Sequence, residues 1–128
     1  MSDYDALLRE LQILEQIQTR LAHMATRQDN ARKAETVALR RELSKQIGIL
    51  GEAGRATLGQ SADAEFYDEY RKRLSAMRTA IALHQSEWPA ISLDETAEGY
   101  RLSVQRVLKA RENFTPWAIA KVGARKGG

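Results

Sequence analysis

The chain has 128 residues, no cysteine, a formal net charge of +3, and 43% hydrophobic against 29% charged residues. That length suits one domain able to bury a core without staples, and the missing cysteine excludes a disulfide or thiolate–metal framework. The composition is that of a globular chain, and so mild a positive charge does not by itself carry nucleic-acid binding. No apolar run approaches the ~20 residues that span a bilayer. The opening "MSDYDALLRE" has neither the basic nor the apolar region of a signal peptide. A cytoplasmic protein of bacterial type is the expectation.

Two prolines and an abundance of Ala, Leu, Arg, Glu and Gln favour helix throughout. In the first segment, 3 to 27, Tyr4, Leu7, Leu11, Leu14, Ile17, Leu21 and Ala25 form one stripe at helical spacing. Asp3 and Asp5 suit its N-terminus, where negative charge is favoured. The opposite face carries Arg9, Gln12, Gln16, Arg20, His23 and Arg27.

The second segment, 31 to 52, directs Thr36, Leu39, Leu43, Ile47 and Leu50 inward. Gly48, Gly51, Gly54 and Gly59 are expected to weaken and then end it. Between these two segments "ATRQDNARKAE" has no Gly or Pro, so one helix of about 48 residues, roughly 70 Å long, competes with a hairpin. The hairpin is preferred, at Asp29–Asn30, because both types favour turns and caps. The alternative is one long helix over 3–50 in a helical dimer.

The third segment, 63 to 87, has Ser61 and Asp63 as candidate caps. Phe66, Tyr70, Leu74, Met77, Ile81, His84 and Trp88 share one face, and Pro89 stops the helix. The fourth opens on "SLDE", where Ser92 and Glu95 have the spacing of a capping box. Its inward face reads Ala97, Tyr100, Val104, Val107, Leu108 and Phe114. Thr115 and Pro116 fit the cap and first position of a short final helix, and residues 123–128 a flexible basic tail. The whole is read as a single domain over 1–122: an all-α, up-down-up-down four-helix bundle with a short C-terminal helix.

Few residues offer chemistry. His84 projects among Phe66, Met77 and Trp88 and is read as a neutral core histidine at the proline corner. Bundle metal sites pair Glu-x-x-His motifs on facing helices; this chain has none, so no metal or other cofactor is expected. His23 lies among polar side chains. An exposed histidine on a small bundle resembles the arrangement of histidine phosphotransfer domains, but the Lys-Gly pair typical after their acceptor is absent from "HMATRQ". With no Cys, no G-x-S-x-G and no phosphate-cradling loop, catalysis has no carrier, and the chain reads as non-enzymatic. Asp68–Glu69 and Asp94–Glu95 read as dipole-complementing charges. Arg73 and Arg111 project close to apolar stripes, with Glu10 and Glu112 as candidate partners.

Partner binding is the expected function, as an adaptor or chaperone-like protein that engages another protein through a helix face. Lys33, Arg40, Arg41, Lys45 and Arg55 fall within about half the circumference of the second helix. No aromatic residue is interleaved with them, which suits an acidic protein partner better than single-stranded nucleic acid. Trp117 and Ile119 form a second candidate, as apolar groups on a detachable terminal segment. Displaceable C-terminal helices occur in small helical export chaperones, to which this chain is similar in size, helix count and amphipathic tail. A phosphotransfer module using His23, a small nucleic-acid-associated protein and a homodimer are the competing readings.

Overall fold

The computed structural model describes residues 3–24, 29, 31–59, 63–89 and 98–126. They form four α-helices and, among the described residues, no strand: α1 (Asp3–Met24), α2 (Arg32–Leu58), α3 (Ala64–Glu87) and α4 (Glu98–Lys126). Each of α1 and α3 packs on both α2 and α4, while the diagonal pairs approach far less. This is an up-down four-helix bundle.

The first joint is a hairpin, so the single helix over 3–50 is excluded. Asp29 organises the entry to α2. Its carboxylate accepts from the Ala31 N–H at 3.1 Å and its carbonyl from the Arg32 N–H at 3.3 Å. A side chain that bonds the backbone two residues on is what makes Asp a turn former. Further up the hairpin, Gln46 donates to both the carbonyl and the carboxylate of Glu10, at 2.9 and 2.7 Å. The second joint ends at Asp63, which stands at the N-cap of α3 without making a cap bond; its carboxylate instead takes Arg125 of α4. The third begins where the Trp88 N–H closes on the His84 carbonyl at 2.9 Å, one residue before Pro89. The "SLDE" box, with Ala25, Asn30, Ser61 and Ala97, lies outside the described residues.

The expected stripes of the first three helices supply the core. Leu7, Leu11, Leu14 and Ile17 meet Leu43, Ile47 and Leu50 across the hairpin, and Phe66, Tyr70, Leu74, Met77 and Ile81 close over them. Two expectations fail in an instructive way. Gly48, Gly51 and Gly54 do not end α2, which runs through them to Leu58; of the four, Gly59 alone stands at its C-cap. Gly54 is there for contact: a Cβ at this position would collide with Cε1 of Tyr70 and sit 2.8 Å from its Cζ. The missing side chain lets the ring lie against the α2 backbone, where the Tyr70 hydroxyl donates to the Leu50 carbonyl at 2.8 Å. This burial pushes the phenol pKa well above its usual value.

The second failure concerns α4, which is one helix through Pro116 to Lys126, not a helix, a break and a tail. Thr115 is no cap. It is buried, and its hydroxyl donates to Gln18 Oε1 at 2.9 Å, while Gln18 Nε2 faces Met77 Sδ at 3.4 Å. Pro116 is exposed, and the turn before it is held from outside, where Arg73 donates to the Asn113 carbonyl at 2.8 Å. A proline removes the ladder bond to the carbonyl four residues back, here that of Glu112, and crowds that turn; Arg73 braces the adjoining Asn113 carbonyl. The inward face of this part of α4 is Phe114, Ala118 and Val122.

Candidate functional site

A cavity of about 160 Å³ opens at the pole where α1 ends, α2 begins, α3 ends and α4 begins. Leu21, Leu43, Ile81, Val104, Val107 and Leu108 give it apolar walls. Arg32, Arg40 and Arg111 line it with His84, Gln85 and Tyr100, and no carboxylate among the described residues does. The cavity explains why the N-terminal half of α4 departs from its expected inward face. Tyr100, Val104 and Val107 are only half-buried because they border open space, and Leu108 is 41% exposed.

Arg40 belongs to this cavity and not to the outer row in which the sequence places it. Its guanidinium is half-buried and donates once, to the Trp88 carbonyl at 2.9 Å. Burial lowers its pKa, the direction expected when a charged group loses water. Arg111 reaches only the Thr19 hydroxyl, at 3.5 Å. His84 is half-buried, with Nδ1 2.7 Å from the Ser103 hydroxyl and its ring 5.7 Å from that of Tyr100. Burial first, and the Arg40 charge second, hold the imidazole below its ordinary pKa. The neutral form is thereby favoured, but the ring is half-buried on the cavity wall and not in the core, and its partner is a hydroxyl of α4 and not a group of the proline corner. Trp88 packs edge-on against Tyr100 at 5.5 Å, its indole Nε1 buried without an acceptor among the described residues.

On the outside of α2, Lys33, Arg41 and Lys45 are exposed and take no part in any ion pair among the described residues. Arg55, the fifth cation of the expected row, is tied to Glu52 at 2.7 Å. On α3, by contrast, Asp68 bonds Lys72 and Arg71, which lowers its pKa, and Glu69 bonds Arg73 at 2.9 Å. Asp68 and Glu69 therefore serve as ion-pair acceptors within the helix. Glu69, not Glu10 or Glu112, is the partner of Arg73.

The two apolar candidates lie elsewhere. Trp117 packs 5.4 Å from Phe66 with Arg73 stacked 4.3 Å over its ring, and Ile119 rests against the core. They belong to a continuous helix whose neighbouring residues Thr115, Ala118 and Val122 are almost wholly buried, so this segment is no loose tail. Arg125 stacks 4.0 Å over Phe66, which fastens the helix beyond Val122. His23 is exposed near the end of α1. No group of acidic and histidine side chains among the described residues could hold a metal ion, and no described helix is long and apolar enough to cross a membrane.

Sequence reasoning missed the cavity because its parts come from all four helices. The available signal was Arg40 and Arg111 adjoining apolar stripes with no acidic residue one turn away on the same face. The chain is an all-helical bundle with a polar-tipped cavity at one pole. No protein family, curated protein or solved structure matches it.

Proposed function

We propose that the protein is a non-enzymatic, cytoplasmic adaptor that docks an acidic surface of another protein on the outer face of α2. The observation that carries this reading is the set of unpaired, exposed cations Lys33, Arg41 and Lys45. Charges already paired within a helix project little field, as with Lys72 beside Asp68. Unpaired ones are free to steer and orient an oppositely charged partner. No aromatic side chain joins the row to stack a base. The non-enzymatic assignment rests on the absence of a nucleophile, nucleotide or metal motif in the sequence, and the compartment on a chain without cysteine.

The test is photo-crosslinking in cells from residues 41 and 45, with residue 72, exposed on the α4 side of α3, as the control. Adducts specific to 41 and 45, to a protein that presents an acidic patch at the crosslink, are the expected result. Equal labelling from position 72, or adducts at a neutral or basic surface, would remove the assignment.

A further inference from the structure

The polar cavity is a second feature, distinct from the α2 row, and its chemistry points to a different kind of ligand. We propose that it binds a small organic anion: a carboxylate carried on an apolar body about the size of one aromatic ring.

The apolar part follows from the walls and the volume. The cavity of about 160 Å³ is bounded by aliphatic side chains of all four helices, Leu21, Leu43, Ile81, Val104 and Val107 among them. Apolar cavities of ~150 Å³ accept benzene. The charged part follows from the arginines. Arg40 is half-buried, and a guanidinium withdrawn from water normally takes a carboxylate partner. None lines the cavity among the described residues. A guanidinium carries five N–H donors in a planar fork, and Arg40 spends one of them on the Trp88 carbonyl. Arg111, on the same wall as Val104 and Val107, makes a single long contact to Thr19. Two cations with donors to spare, at the edge of an apolar recess, match a ligand whose carboxylate lies at the rim and whose body lies inside. A fork-to-carboxylate bond supplies orientation as well as energy. Inorganic phosphate matches the cations but not the walls.

The rival occupant is the chain itself. Residues 90–97 join α3 to α4, whose ends border this pole, and they include Asp94 and Glu95. The experiment separates the two. Phenylacetate is titrated into the purified protein, with heat and Trp fluorescence as readouts; phenylacetamide and inorganic phosphate are the controls. The expected result is saturable binding of phenylacetate, with phenylacetamide and phosphate each at least ten-fold weaker. R40Q and R111Q, checked for folding by circular dichroism, should each weaken binding at least ten-fold. V104F, which keeps both arginines and fills the recess, should abolish it. The R41E/K45E variant should bind phenylacetate as the wild type does, which keeps this result independent of the protein-docking reading. Equal binding of phenylacetamide would leave an apolar hole and no anion site, and equal binding of phosphate a mere basic patch; either overturns the proposal. So does absence of binding to the wild type, whether or not a D94N/E95Q variant gains it. If that variant gains binding, the chain's own carboxylates fill the site.

Discussion

Replacing Gly54 with Ala should destabilise the bundle, although the same change at Gly48 should stabilise it. Both glycines lie inside α2. In a helix interior, Gly→Ala is worth about 1 kcal/mol in favour of Ala. At Gly48 the added methyl meets nothing within 4 Å, so most of that gain should appear. At Gly54 it meets the ring of Tyr70. That ring is 1% exposed, lies edge-on to Phe66 and Phe114 at 6.4 and 5.2 Å, and is anchored by its hydroxyl to Leu50. It has nowhere to retreat. Overpacking of a tight core costs about 1–3 kcal/mol, and a displaced Tyr70 hydroxyl left buried and unsatisfied costs about 1–3 kcal/mol more. Setting the helix gain against these terms, G54A should lose about 1–5 kcal/mol and lie about 2–6 kcal/mol below G48A. The loss corresponds to a fall in Tm on the order of 10 °C for a domain of this size. Urea unfolding followed by far-UV circular dichroism reads both variants on one scale. In a Y70L background the penalty at Gly54 should shrink, because the two sites share one contact. If G54A proves as stable as G48A, the Tyr70–α2 contact is not what the glycine is for, and the reasoning fails.

Other outcomes follow from the same packing. Thr115→Val should cost about 1–3 kcal/mol, since Gln18 Oε1 would lose its donor in the core; T115S should stay near wild type, and urea unfolding measures both. Deleting residues 115–128 should unfold the bundle because it removes Thr115, Ala118 and Val122; a near-native dichroism spectrum would contradict that. His84 should make stability depend on pH. Its folded pKa lies below the ordinary value of about 6.5, so the unfolded chain binds the proton more readily. Stability should therefore be full above that value and decline as pH falls from about 6.5 toward the folded pKa. His84→Gln should remove this decline while leaving partner binding intact; parallel pH curves for the two proteins would refute the assignment.

The first three helices were legible because each has a stripe of large aliphatic or aromatic side chains at three- and four-residue spacing, and burial of such a stripe dominates the energetics. The hairpin was legible through Asp29, whose side-chain bond is local. The fourth helix was not. Its inward positions in the C-terminal half include Thr115 and Ala118, which periodicity scores as neutral, while Leu108 borders the open cavity and stays 41% exposed. Thr115–Pro116 resembles a helix start, and only the bonds of Thr115 to Gln18 and of Asn113 to Arg73, 97 and 40 residues apart in the chain, hold this stretch as a helix interior. The glycines of α2 misled for a similar reason: local propensity reads Gly54 as a breaker, and only the position of Tyr70 makes it a contact surface. At the candidate sites, the exposure of Lys33, Arg41 and Lys45 was visible in the helical projection. The inward turn of Arg40 was not, because it depends on the Trp88 carbonyl at the far end of α3.

Titration of the partner recovered by crosslinking into wild-type protein and into K33E/R41E/K45E, at low and at high salt, tests the docking assignment most directly. Charge-steered docking predicts that wild-type affinity falls as salt rises, because exposed charges are screened within about 10 Å at 0.1 M ionic strength. It also predicts binding at least about ten-fold weaker for the triple variant at low salt, with little salt dependence left. Wild-type affinity in the triple variant, or an affinity that salt does not change, would contradict it.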